Sequence, residues 1–188
     1  MSRKTPTAPR GQAQTLVAAA EAAARWFHRP EPAALSAART ARLRSRGARE
    51  LAVAALKGAR GPAKAAAADF SFALREAVEL AVSAMSDAAS WDVGADEGFA
   101  AMAESLARAA KALVRASEAG GAARANALDD AKRWCADVER RRRETRARAL
   151  ESSFFVESVK RSEIAARLSS AAEALQQACD AFAGSLAE

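Results

Sequence analysis

Residues 128–150 read L-D-D-A-K-R-W-C-A-D-V-E-R-R-R-R-E-T-R-A-R-A-L. Leu128, Ala131, Cys135 and Val138 recur every three or four residues, the period of one helix face, and Thr145 and Ala149 continue it. The stripe crosses the arginine run at Arg142, so a guanidinium is expected where the helix should bury a side chain. The period itself points to helix. No stretch alternates apolar and polar residues, Tyr is absent and β-branched residues are few, which leaves little material for strands. The fold class expected is all-α.

Working outward, the same rhythm marks six helices. Residues 1–10, with Pro6 and Pro9, are expected to form a disordered tail. Helix one is expected over Gln12–His28 with Leu16, Ala20, Ala23 and Phe27 inward, ended by Pro30-Glu31-Pro32. Helix two should run from Ala33 to Lys57 through Leu35, Ala38, Ala41, Ala48, Leu51 and Ala55, weakened at Gly47. Helix three should span Ala63–Ser90, with Phe70, Leu74, Ala77, Ala81, Met85 and Ala88 inward. Asp96 suits the N-cap of a fourth helix, Glu97–Ala119, which buries Phe99, Met102, Leu106, Ala109 and Leu113. Gly120-Gly121 is expected to close that helix. Helices five (Ala122–Ser152) and six (Phe154–Leu186) follow; the stripe of the last is Ile164, Leu168, Ala171, Leu175, Cys179, Phe182 and Leu186. Each half holds a shorter helix followed by two longer ones. This suggests two tandem three-helix units, 11–92 and 93–188.

Composition narrows the function. Apolar residues make up 51% of 188 residues, many of them alanine, and 29 basic against 23 acidic residues give a net charge of +6. That balance favours anionic partners. Cys135 and Cys179 lack metal-ligand spacing and read as small core residues. The basic N-terminus is not followed by an apolar run, so neither a signal peptide nor a spanning segment is read, and a cytoplasmic location is expected. No glycine-rich phosphate loop is present. The one histidine, His28, has no sequence cue to a nucleophile and is expected to interact with the end of helix one. Catalysis and cofactors are therefore not expected. Trp26, Trp91 and Trp134 read as core or interface aromatics. Phe154 and Phe155 are expected to pack against neighbouring helices; exposed, they would mark a contact with another subunit.

The arginine run has two readings. Arg140, Arg141, Arg142, Arg143, Arg146 and Arg148 can form a solvated face compensated by Glu139 and Glu144, their stems covering apolar surface. Joined by Lys132 and Arg133, they can instead form an anion- or partner-binding patch. Sequence-specific nucleic-acid recognition is disfavoured because no aromatic residue interleaves with the run; weak, non-specific binding through it is the remaining nucleic-acid alternative.

The segments A-L-R-E-A-V-E-L-A-V (73–82) and V-E-S-V-K-R-S-E-I-A-A-R-L-S-S-A-A-E-A-L (156–175), with the six-helix layout, resemble the PhoU-like family of phosphate-transport accessory proteins. The resemblance implies two three-helix bundles and a non-enzymatic regulatory role. It also implies a partner at an inorganic phosphate transporter or its membrane surface, peripheral placement at the inner membrane, and a homo-oligomer. In that family acidic residues four apart, one helical turn, hold metal clusters. Carried onto this chain, those positions fall on Ser45 and Arg49, Arg75 and Glu79, Glu139 and Arg143, and Glu173 and Gln177. Most of the pairing is lost, so no metal is expected: guanidinium groups, which do not ligate metals, are expected to occupy the charge slots and bind the remaining glutamates. A helical scaffold without a phosphate role is the alternative.

Overall fold

The computed structural model describes residues 7–56, 61–150 and 154–184. Among the described residues there are six helices and no strand: α1 (Thr7–His28), α2 (Pro32–Ala55), α3 (Pro62–Ser90), α4 (Glu97–Glu118), α5 (Gly121–Leu150) and α6 (Phe155–Gly184). Pro32 and Pro62 open α2 and α3, where the missing N–H costs nothing and the fixed φ suits a helix. The Asp96 side chain caps α4 by accepting from the Phe99 amide at 3.0 Å, as its position before the first apolar residue led one to expect.

Three local expectations need correction. α1 begins at Thr7, so residues 7–10 are helical rather than part of a tail; Pro9 is tolerated because the first four amides of a helix have no intrahelical acceptor. Residues 1–6, like Leu186, lie outside the described residues. The glycine pair does not cap α4. Ala119 ends that helix in an extended conformation, and Gly121, at φ 51°, turns the chain into α5, a conformation open to glycine at little steric cost. Leu51 does not face inward but is 73% exposed. The inward residues of α2 are Ala34, Ala38, Ala41, Ser45 and Ala52, and Leu51 lies about 100° around the helix from Ala52.

The other stripes face one continuous core. α1, α3, α4 and α6 pack in a closed ring: α1 touches α3 and α4, and α6 touches α3 and α4. α2 lies over the α1–α3 edge of this ring and α5 over the α4–α6 edge. Alanine dominates the contact faces (Ala77, Ala81 and Ala84 on α3; Ala171, Ala174 and Ala178 on α6, all buried), which lets helix axes approach closely. Two aromatic pairs fill what alanine leaves open. Phe27 of α1 meets Phe99 of α4 at 5.2 Å, and Phe70 of α3 meets Phe182 of α6 at 5.4 Å, tilted geometries that ring quadrupoles favour. The α3–α4 connector is held from α6: Lys160 Nζ donates to the Trp91 carbonyl at 3.1 Å, and Arg161 pairs with Asp96.

At the start of α4 the backbone runs close against α5. A Cβ on Gly98 would stand 2.7 Å from Thr145 Oγ1 of α5 and 3.0 Å from Asp96 Oδ1. Helix propensity alone would make Gly98→Ala stabilising by up to about 1 kcal/mol. The overlap with buried Thr145 costs about 1–3 kcal/mol, so G98A should lower the urea unfolding midpoint. In a Thr145→Ala background, where only the 3.0 Å approach to Asp96 Oδ1 remains, the same change should cost less.

Candidate functional site

The region singled out by sequence, residues 137–148, occupies the last three turns of α5. Its logic begins with two acids two residues apart. Side chains at i and i+2 point to different flanks of a helix, and here Asp137 faces α4 while Glu139 faces α6. Ser105 of α4 donates its hydroxyl to Asp137 Oδ2 at 2.7 Å. Ser169 of α6 donates to Glu139 Oε2, also at 2.7 Å. Each acid then meets the residues three and four places on, which share its face. Asp137 binds Arg140 and Arg141, the latter through Nε at 2.7 Å. Glu139 binds Arg142 through Nε at 2.7 Å and Nη2 at 2.9 Å, and Arg143 at 3.5 Å. The four consecutive arginines thus match D-x-E-R-R-R-R in register.

Arg142, at the crossing of the apolar stripe and the basic run, is half-buried rather than buried. The helix keeps its inward face with Val138 and Thr145, which bracket it and are buried. The charge conflict is resolved by the fork of bonds to Glu139. Arg140 also reaches Glu144 at 2.7 Å. Of the six arginines named from sequence, four are therefore tied to carboxylates of their own helix. Arg146 and Arg148 are exposed and form no ion pair among the described residues.

The second arginine–carboxylate centre joins α2 to α3. Glu79 accepts from Arg46 Nε at 3.1 Å and pairs with Arg42. The partners are not Arg75 and Arg49, the ones expected. Arg49 stacks instead over Phe72, 6.0 Å from the ring centroid. Ser45 is buried in the inward face of α2, and Glu173 and Gln177 are exposed on α6. No group of three or more His, Cys, Asp or Glu side chains among the described residues is placed to hold a metal ion.

The remaining candidates are quickly placed. His28 Nε2 lies 2.8 Å from Glu104 Oε1 of α4, so its partner is a neighbouring helix, not the end of its own. It borders a cleft of about 340 Å³ between the end of α1, the first turn of α4 and the end of α5, where Glu97, Glu144, Arg141 and Arg148 alternate in sign. Trp26 is buried, whereas Trp91 and Trp134 are half-buried against the core, Trp134 with Arg108 over its ring at 4.8 Å. Cys135 and Cys179 are free and buried; burial pushes both thiols up, that of Cys179 to about 12. Phe154 and Phe155, expected to pack against neighbouring helices, are instead 74% and 81% exposed. No helix among the described residues is long and apolar enough to cross a membrane. Sequence reading missed Arg42, Arg46, Asp137, Ser105 and Ser169. Only the Asp137 contacts, spaced at i+3 and i+4, left a signal in the sequence.

No protein-family model matches the chain, and no curated protein matches it.

The two acids of α5 give a pH signature. Burial pushes the Asp137 carboxyl up, but the hydrogen bonds from Arg141, Ser105 and Arg140 outweigh it and bring it to about 2. For Glu139 the Arg142 hydrogen bond dominates, burial opposes it, and Ser169 helps bring the group to about 2. Folded values lie below those of the unfolded chain, about 4, so the unfolded state binds more protons as pH falls. The stabilisation is complete above about pH 4–5 and is lost as pH drops toward about 2. Asp137→Asn and Glu139→Gln should each lower the urea midpoint at neutral pH and flatten its decline on acidification. A decline as steep as that of the unmodified chain would show that other carboxylates govern it.

Proposed function

We propose that the chain is a non-enzymatic accessory or regulatory protein of the PhoU-like type, associated with inorganic phosphate transport. Arginines would stand in it where that family holds metal. The observation that carries this reading is the double clamp on each of two glutamates. Glu79 sits between Arg42 and Arg46, and Glu139 between Arg142 and Arg143, both at positions where the family resemblance calls for metal-binding carboxylates. A guanidinium keeps its charge at all physiological pH values, so it supplies permanently what a bound cation would supply only when present.

The packing supports two tandem three-helix units. Exchanging α1–α3 with α4–α6 carries the α1–α2, α2–α3 and α1–α3 contacts onto α4–α5, α5–α6 and α4–α6, and leaves α1–α4 and α3–α6 in place. In this reading the protein acts by binding, as a cytoplasmic homo-oligomer, with the end of α5 as its contact face at the transporter. A second reading is a helical interaction module without a phosphate role. It is favoured by the outward apolar residues at the start of α6, Phe155 and Val156, which the family resemblance does not call for.

Deleting the gene in its host and following uptake of radiolabelled inorganic phosphate separates the two. The first reading expects altered uptake when phosphate is abundant, restored by the unmodified gene. Unchanged uptake leaves the interaction module. Elemental analysis of the purified protein by plasma mass spectrometry should find no stoichiometric manganese, iron or zinc. One metal ion per chain would overturn the arginine replacement.

A further inference from the structure

We propose that the α5–α6 end of the bundle is a docking surface for an anionic lipid bilayer, into whose headgroup region Phe155, Val156 and Val159 insert. The inference stands on this end of the molecule alone and does not require a phosphate role.

The apolar residues lie on the wrong side of α6 for packing. Ile164, Leu168, Ala171 and Leu175 face the core and are buried. At about 100° per residue, Phe155 and Val159 fall on the opposite side and Val156 beside them. They are 81%, 45% and 66% exposed. From Phe155 to Val159 the helix advances about 6 Å, so the three exposed apolar residues form one compact patch. Beyond Val159 the outward side turns polar with Ser162 and Glu163, so the stripe ends after little more than one turn.

Charge selects the occupant. α5 and α6 are antiparallel, as the Glu139–Ser169 and Lys132–Asp180 contacts fix, so the end of α5 lies beside the start of α6. There Arg146 is exposed without an ion pair among the described residues and Arg143 is 76% exposed and held only at 3.5 Å, while Arg148 lines the cleft on the α4 side. Over residues 137–148 six arginines face three carboxylates. A second copy docked face to face would oppose these arginines to their own kind. A groove on a partner protein reads anchors at i, i+3, i+4 and i+7, and this stripe is too short to supply them. A bilayer needs neither groove nor register. A small apolar insertion is marginal alone and becomes a usable anchor when a basic patch joins it.

Flotation of the full chain with phosphatidylcholine vesicles, or with vesicles of equal parts phosphatidylcholine and phosphatidylglycerol, tests this. The chain should float with the anionic vesicles only, and less so as salt rises. The double variant F155S/V159S should lose at least about tenfold in partition. R146Q should lose roughly fivefold, the worth of one cation near an anionic surface. All three positions are exposed, so thermal unfolding should be unchanged in both variants. Absence from both vesicle types, or equal partition onto both, would overturn the proposal. Partition sensitive to R146Q but not to F155S/V159S would also overturn it, leaving a purely electrostatic contact. A dimer in sedimentation that F155S/V159S dissolves, with no flotation, would assign the patch to a second copy instead.

Discussion

Everything in this bundle depends on four helices coming close enough for alanine to count. An alanine methyl removes little area from water, so a face built from it stabilises less per residue than a leucine face. What it offers is proximity, and dense packing raises the number of dispersion contacts each atom makes. The ring of α1, α3, α4 and α6 exploits this, and the two phenylalanine pairs fill it where the axes must diverge. Gly98 is the extreme case, where even a methyl has no room beside Thr145. α2 and α5 are then covering helices, each packed mainly against two neighbours, and each has to be oriented by something other than a deep apolar face.

For both of them that something is arginine. α2 is pinned to α3 by two guanidinium groups on one carboxylate, Glu79. α5 is pinned on both flanks, to α4 through Asp137 and Ser105 and to α6 through Glu139 and Ser169. Exposed ion pairs are individually worth little, typically under about 1 kcal/mol. Their value here is geometric: a carboxylate with three donors has few other places to go, and the arginines of the same helix hold it toward its serine. The apolar stripe of α5 sets which side faces in, and the acids at 137 and 139 keep it from rolling.

This explains what the sequence could and could not disclose. Helical periodicity depends only on local spacing, so the stripes of α1, α3, α4 and α6 could be read residue by residue. So could the Asp96 cap, which needs only an acid before a helical run. Leu51 and Phe155 were misassigned for the opposite reason. Leu51 is a large residue on a helix whose inward face is alanine and serine, and Phe155 precedes the first inward residues of α6, Ile164 and Leu168, so size misleads where position decides. The Glu79 centre was located but given the wrong partners. Which turn of α2 lies against α3 is a fact of tertiary register, and a shift of one turn exchanges Arg49 for Arg42 and Arg46. On α5 the D-x-E-R-R-R-R pattern was legible from spacing alone, yet a run of like charge draws attention to itself rather than to the acids two places before it.

Arg146 and Arg148 raise a separate question, since neither holds a carboxylate among the described residues. Arg148, in the last turn of α5, complements the negative end of the helix dipole and lines the cleft beside Glu97; Arg146 lies before that turn. No such structural account covers Phe155 and Val156. They lie outside the core, they bury little against their own helix, and a polar residue at either position would leave the packing of α6 intact. An apolar side chain held in water by a well-formed helix is costly to solubility and adds nothing to the fold. Placed beside Arg146, which has no ion pair among the described residues, it is better explained by a surface it meets than by the chain that carries it.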